Sequence, residues 1–82
     1  MQTIILYSTL GCHLCEQALC LLEPYLVAYD LSVQEVDIAD DSELLEKYGI
    51  SIPVLYFSHT QAHLYWPFDC HQVGKFIVDN SP

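Results

Sequence analysis

The chain is 82 residues long and carries eleven acidic side chains against two lysines and no arginine, a formal net charge of -9. That length allows one domain, and 52% apolar residues with only 16% charged ones describe a chain that packs a core rather than a disordered acidic tail. So few cations can neither neutralise a phosphate backbone nor dock on anionic lipid, which excludes nucleic acid and membrane surfaces as partners.

Thr3 to Tyr7 is a short, β-branched apolar run and reads as a buried strand. Ser8 to Gly11 forms a turn, and Cys12-His13-Leu14-Cys15, a C-x-x-C, follows directly. From Leu14 the apolar residues recur at Ala18, Leu21, Leu22, Tyr25 and Tyr29, which is helical spacing. Pro24 interrupts that pattern and is expected to kink or split the helix, because it removes one backbone hydrogen bond. Ser32 to Val36 resumes a strand, and strand, helix and strand over about 35 residues make a βαβ unit with parallel strands. Asp40-Asp41-Ser42-Glu43 reads as a capping box, with Asp40 as N-cap and Glu43 at the third helical position. Leu44, Leu45 and Tyr48 supply the buried stripe of that second helix, and Gly49 ends it. Val54 to Phe57 and Ala62 to Trp66 are two short strands around the polar segment Ser58 to Gln61, a hairpin. Asp69 caps a last helix, Gln72 completes its capping box, and Phe68 is placed to staple against Val73. The order is βαβαββα, an α/β arrangement in a single domain over residues 1–82, with no repeat or linker.

The cysteine pair carries the chemistry. No stretch approaches the ~20 apolar residues of a membrane span, and nothing at the N-terminus reads as a secretory signal, so the cytoplasm is the expected compartment. In that setting a C-x-x-C reads as redox or metal chemistry before structural bracing. Two cysteines at a helix start place one sulfur over the free N–H groups and positive end of the helix, which favours its thiolate. Cys12 is then the attacking thiolate and Cys15 the resolving thiol. A static bridge is the alternative, although one closing so short a loop adds little stability.

The order of elements, the C-x-x-C at the first strand-to-helix turn and Ile52-Pro53-Val54 opening the third strand together resemble the thioredoxin fold. Within it the chain is similar to glutaredoxins and small glutaredoxin-like proteins, over essentially its whole length. The carriers are Gly11-Cys12-His13-Leu14-Cys15, the Val33 to Asp37 strand, Ile52-Pro53-Val54 and Trp66-Pro67-Phe68-Asp69. The resemblance implies a four-stranded mixed sheet flanked by helices. It also implies a cis Ile52-Pro53 peptide facing the cysteines, with the Ile52 backbone available to an extended substrate. From backbone physics alone a trans proline at a strand's first residue remains the alternative.

The chain departs from the glutaredoxin pattern in its electrostatics. Glutaredoxins hold the glutathione carboxylates with basic residues near the first cysteine and on the second helix, whereas no basic residue precedes Lys47 here and Glu16 follows the pair. The glycine-rich turn that admits the tripeptide is replaced by Trp66-Pro67-Phe68, bulky where glycine lets a backbone approach. Both departures argue against glutathione binding. His13 stands where glutaredoxins often carry proline; as a cation it would favour the Cys12 thiolate, and Glu16 opposes it, so modest acidification is expected.

The expected site residues are Cys12 and Cys15 as the catalytic pair, with His13 and Leu14 as substrate contacts beside them and, as the resemblance implies, Ile52, Pro53 and Asp69 as further substrate contacts, with no metal ligand. Cys20 is expected to be packed on the first helix, Cys70 and His71 to open the last helix near solvent, and His59 and His63 to face solvent. The Asp37, Asp40, Asp41, Glu43, Glu46 series reads as a solvated face. The expected function is thiol–disulfide oxidoreduction by a monomer without a bound cofactor. Its partner is a protein disulfide or a glutathione mixed disulfide; a basic protein is a candidate, and glutathione enters only as a candidate reductant. Two readings from other classes stay open. One is a non-catalytic binding module using the acidic surface, and the other a metal-holding protein in which Cys70 and His71 join the pair.

Overall fold

The computed structural model describes residues 2–49 and 51–80. Its strands are β1 (Gln2–Ser8), β2 (Leu31–Asp37), β3 (Val54–Phe57) and β4 (Ala62–Tyr65), and its α-helices are α1 (His13–Ala28), α2 (Ser42–Tyr48) and α3 (Cys70–Asn80). A short 3₁₀ turn, Ile38–Asp40, precedes α2. The sheet order is β2-β1-β3-β4, with β1 parallel to β2 and antiparallel to β3, and β3 antiparallel to β4. This is the thioredoxin-like arrangement that the resemblance implies. Among the described residues no helix is long and apolar enough to cross a membrane.

Strand alternation divides the core between the two faces of the sheet. Ile4, Leu6, Leu55 and Phe57 point to one face and pack with Ala18 and Leu22 of α1 and Val73, Phe76 and Ile77 of α3. Tyr7 and Val54, one residue out of step, point to the other and pack with Ile38 and Tyr48. One face is built on aliphatic residues and phenylalanine and covered by two helices; the other is built on tyrosine and covered by the short α2.

Pro24 does not split α1, which runs unbroken from His13 to Ala28. A proline inside a helix costs about 3 kcal/mol through its missing N–H and its clash with the preceding turn. Pro24 and Cys20 lie on the exposed side, where water can meet the Cys20 carbonyl, while Ala18 and Leu22 on the other side bind the helix to the sheet. Cys20 is correspondingly exposed rather than packed.

The start of α2 also differs from the expectation. The 3₁₀ turn takes up Asp40, so Asp41 becomes the N-cap, its Oδ1 accepting the N–H groups of Glu43 and Leu44 at 3.0 and 3.2 Å. Glu43 then sits one position too early to close a capping box. Leu45 is 50% exposed and leaves the buried stripe to Tyr48 and the half-buried Leu44. Gly49 does cap the helix, in right-handed backbone geometry.

The last helix starts as its sequence predicts. Asp69 Oδ1 accepts the Gln72 N–H at 2.8 Å and Gln72 Oε1 accepts the Asp69 N–H at 2.9 Å, a reciprocal capping box. Phe68 and Val73 are buried in one cluster beside it.

Candidate functional site

β1 carries the chain to one end of the sheet, where Ser8 to Gly11 reverse it into α1. Gly11 adopts φ 74°, the left-handed region, and a Cβ there would meet only open space. Backbone freedom, not lack of room, is therefore what glycine supplies. The turn closes with the Cys12 N–H donating to the Thr9 carbonyl at 3.2 Å.

Cys12 is the N-cap of α1, and its Sγ accepts the Cys15 N–H at 3.2 Å. A sulfur thus occupies the place usually taken by a serine or aspartate oxygen, over the donors that a helix start leaves free. Cys12 and Cys15 form a disulfide, with Cα atoms 5.2 Å apart. Cys12 is half-buried and Cys15 only 5% exposed, so the two sulfurs differ in access. A thiolate at Cys12 would receive the same N–H and the helix dipole, and both stabilise negative charge.

A cleft of about 190 Å³ opens beside the disulfide. Its walls are the Ser8–Cys12 turn, Cys15, Glu16 and Leu19 of α1, and Glu35 of β2. Ser8, Leu10 and Glu35 join the cysteines here without being among the site residues expected from the sequence. Glu35 had no local signal, because only the parallel register of β2 against β1 carries it to the cysteines.

Among the expected substrate contacts, His13 and Leu14 lie in the first turn of α1 and are exposed. The His13 and Glu16 side chains approach to 3.9 Å while both remain about four-fifths exposed, too open for their interaction to weigh much. The Ile52-Pro53 peptide is cis. Tyr7 pairs with Val54, which sets Pro53 beside the end of β1 from which the cysteine turn departs. The loop is fixed on both sides: the Ile52 N–H donates to the Tyr48 carbonyl and the Trp66 N–H to the Pro53 carbonyl, each at 3.2 Å. The Ile52 N–H is therefore already engaged within the protein. Trp66-Pro67 is a second cis peptide, which nothing in the sequence separates from a trans one. Ile52, Pro53 and Asp69 do not line the cleft beside the disulfide. Asp69 is held in its capping box, and Trp66 and Phe68 meet edge to face with ring centres 5.0 Å apart.

His63 departs from its expected place in solvent. It is half-buried, with Nε2 2.8 Å from the Tyr48 hydroxyl and its ring between those of Tyr56 and Tyr65 at 4.6 and 5.7 Å. Burial, and secondarily the Lys47 ammonium, push its pKa below the ordinary histidine value. Tyr7, stacked on Tyr48 at 4.5 Å, has its phenol pKa raised, first by burial and then by Tyr48 and Tyr56. Cys70 is exposed as expected, its carbonyl accepting the Tyr25 hydroxyl at 2.8 Å. Among the described residues no three His, Cys, Asp or Glu side chains gather to hold a metal ion.

Residues 3–78 match the family model described as Glutaredoxin-like domain (DUF836). Among solved structures, the chain is similar to the target protein XcR50 from X. campestris. Its X-ray structure is 34% identical, with a TM-score of 0.81 over 96% of this chain and 99% of that one. The solution structure of the same target is also 34% identical, with a TM-score of 0.80 over 100% of this chain and 97% of that one. Protein Ne2328 from Nitrosomonas europaea, 24% identical with a TM-score of 0.72 over 92% of this chain and 89% of that one, shares the fold. No curated protein matches the chain.

Proposed function

The chain belongs to the glutaredoxin-like domain family, and from that premise we propose that it is a thiol–disulfide oxidoreductase working through the Cys12/Cys15 couple. The observation that carries this reading is the placement of the Cys12 sulfur: it caps α1, accepts the Cys15 N–H, and is the more accessible half of a disulfide.

In the reducing direction the Cys12 thiolate attacks one sulfur of a substrate disulfide. A Cys12–substrate bond forms, the substrate S–S bond breaks, and the departing thiolate takes up a proton. Cys15 then loses its proton and attacks the Cys12 sulfur, closing the internal disulfide and releasing the second substrate thiol. Two electrons and two protons pass from the protein to the substrate, and an external dithiol restores the reduced protein. The same steps run backwards as an oxidation.

The helix start is the main support for the thiolate, since no lysine or arginine borders the cleft and Glu16 and Glu35 do. Glutathione would meet those carboxylates with its own, which favours protein disulfides over the tripeptide as substrates. His13, Leu14 and the Ile52–Pro53 loop are assigned as flanking contacts. With the Ile52 N–H engaged by Tyr48, the Ile52 carbonyl is the group offered to a substrate strand.

The test is Cys15→Ser, which removes the resolving thiol and should accumulate mixed disulfides through Cys12, with and without glutathione; Cys12→Ser should abolish them. Absence of any adduct with protein or tripeptide would reject the catalytic reading in favour of a non-catalytic binding module.

A further inference from the structure

Resting on the thiol–disulfide reading, we infer that the cleft beside Cys12 receives a cationic polypeptide segment, one whose disulfide is flanked by lysine or arginine and by an apolar side chain. The charged residues that line the cleft are of one sign. Glu16 from α1 and Glu35 from β2, both exposed, reach the cleft from different elements. The chain's two lysines are elsewhere: Lys47 lies over the Tyr48 ring at 5.3 Å, and Lys75 pairs with Asp79 at 3.1 Å.

The cleft also holds a polar group that its own fold does not use. Ser8 is 6% exposed, lines the cleft, and makes no side-chain hydrogen bond with another described residue. A hydroxyl on an otherwise buried residue of the cleft wall is suited to a peptide carbonyl or N–H, or to an ammonium group. Apolar surface completes the site. Leu10, 90% exposed, lines the cleft from the turn before Cys12, and Leu14, 41% exposed, adds apolar surface outside the cleft wall in the first turn of α1. A small polyamine would satisfy the carboxylates and waste the leucines, and an anionic tripeptide would do neither. A cationic polypeptide with an apolar residue near its disulfide matches all three features.

The test uses the pre-reduced full-length protein and three peptides of one length, each with an internal disulfide and one leucine, flanked by lysine, glutamine or glutamate. Second-order rate constants for dithiol–disulfide exchange are measured by acid quench and mass. At low salt the lysine peptide should react about tenfold or more faster than the glutamate peptide, and high salt should narrow the ratio. Because a net charge of -9 attracts any cation, Glu16→Gln/Glu35→Gln is compared with Glu43→Gln/Glu46→Gln, an equal charge change on α2. The first pair should collapse the ratio and the second should largely preserve it. Equal rates for the lysine and glutamate peptides, an equal effect of the two double variants, or faster exchange with oxidised glutathione than with the lysine peptide would each overturn the inference. Failure of all three peptides and of glutathione to exchange would instead overturn the oxidoreductase reading beneath it.

Discussion

The Tyr48 hydroxyl lies 2.8 Å from Nε2 of His63, tying the last residue of α2 to β4 across the face of the sheet. The same tyrosine stacks on Tyr7, and its carbonyl accepts the Ser51 and Ile52 N–H groups at 2.8 and 3.2 Å. One buried residue thus joins the strand that leads to the cysteines, the cis Ile52–Pro53 loop and a titratable imidazole.

That imidazole gives the fold a defined pH response. Its pKa is lowered in the folded protein, first by burial and then by Lys47, against a backbone hydrogen bond with Gln61. A base with a lowered folded pKa takes up a proton on unfolding. Its contribution to stability is therefore complete above the ordinary value near 6.5 and is lost as pH falls from there through the lower folded value. Urea unfolding at about pH 7.5 and about pH 5 should show a larger fall in stability for the wild type than for His63→Gln. Equal falls would remove His63 as the responsible group.

Tyr48→Phe keeps the stack on Tyr7 and deletes only the hydroxyl that meets His63. The expected loss is about 1 kcal/mol at neutral pH, that of one partly buried hydrogen bond. A double-mutant cycle with His63→Gln, read by urea unfolding, should show the two changes coupling rather than adding. Additive losses would mean that the hydrogen bond contributes nothing.

Gly74 lets α3 approach α1. A Cβ there would lie 2.7 Å from the Tyr25 hydroxyl oxygen and 3.0 Å from Cε1 and Cζ of that ring, which is tethered by its bond to the Cys70 carbonyl. Glycine to alanine inside a helix ordinarily gains about 1 kcal/mol. Here Gly74→Ala should cost about 1 kcal/mol net, because the overpacking exceeds the propensity gain. With Tyr25→Ala already present, the same change should stabilise by about 0.5–1 kcal/mol. Stabilisation in both backgrounds would show that Tyr25 yields freely.

Asp69→Ala removes one half of a reciprocal cap and should cost about 1 kcal/mol of stability. Because Asp69 is engaged at the start of α3 and does not line the cleft, exchange rates with peptide disulfides should stay within about twofold of wild type once folding is ensured. A large loss of rate in a fully folded variant would show Asp69 to be a substrate contact.

Features set by near neighbours along the chain were readable in the amino-acid order. The alternation of Ile4, Leu6 and Tyr7, the C-x-x-C at the mouth of α1, and the Asp69/Gln72 cap all depend on spacings of a few residues, which backbone geometry converts directly into faces and caps. Even there the cap of α2 moved from Asp40 to Asp41, because an intervening 3₁₀ turn consumed one residue that helix periodicity does not register. The environment of the cysteines and of His63 was decided by the sheet. The parallel register of β1 on β2 brings Glu35 to the disulfide cleft, and the antiparallel pairing of β3 with β4 sets His63 against Tyr56, within reach of Tyr48. Residues far apart in the chain have no fixed spacing to announce such contacts; the register that buries the most apolar surface on both faces of the sheet chooses them.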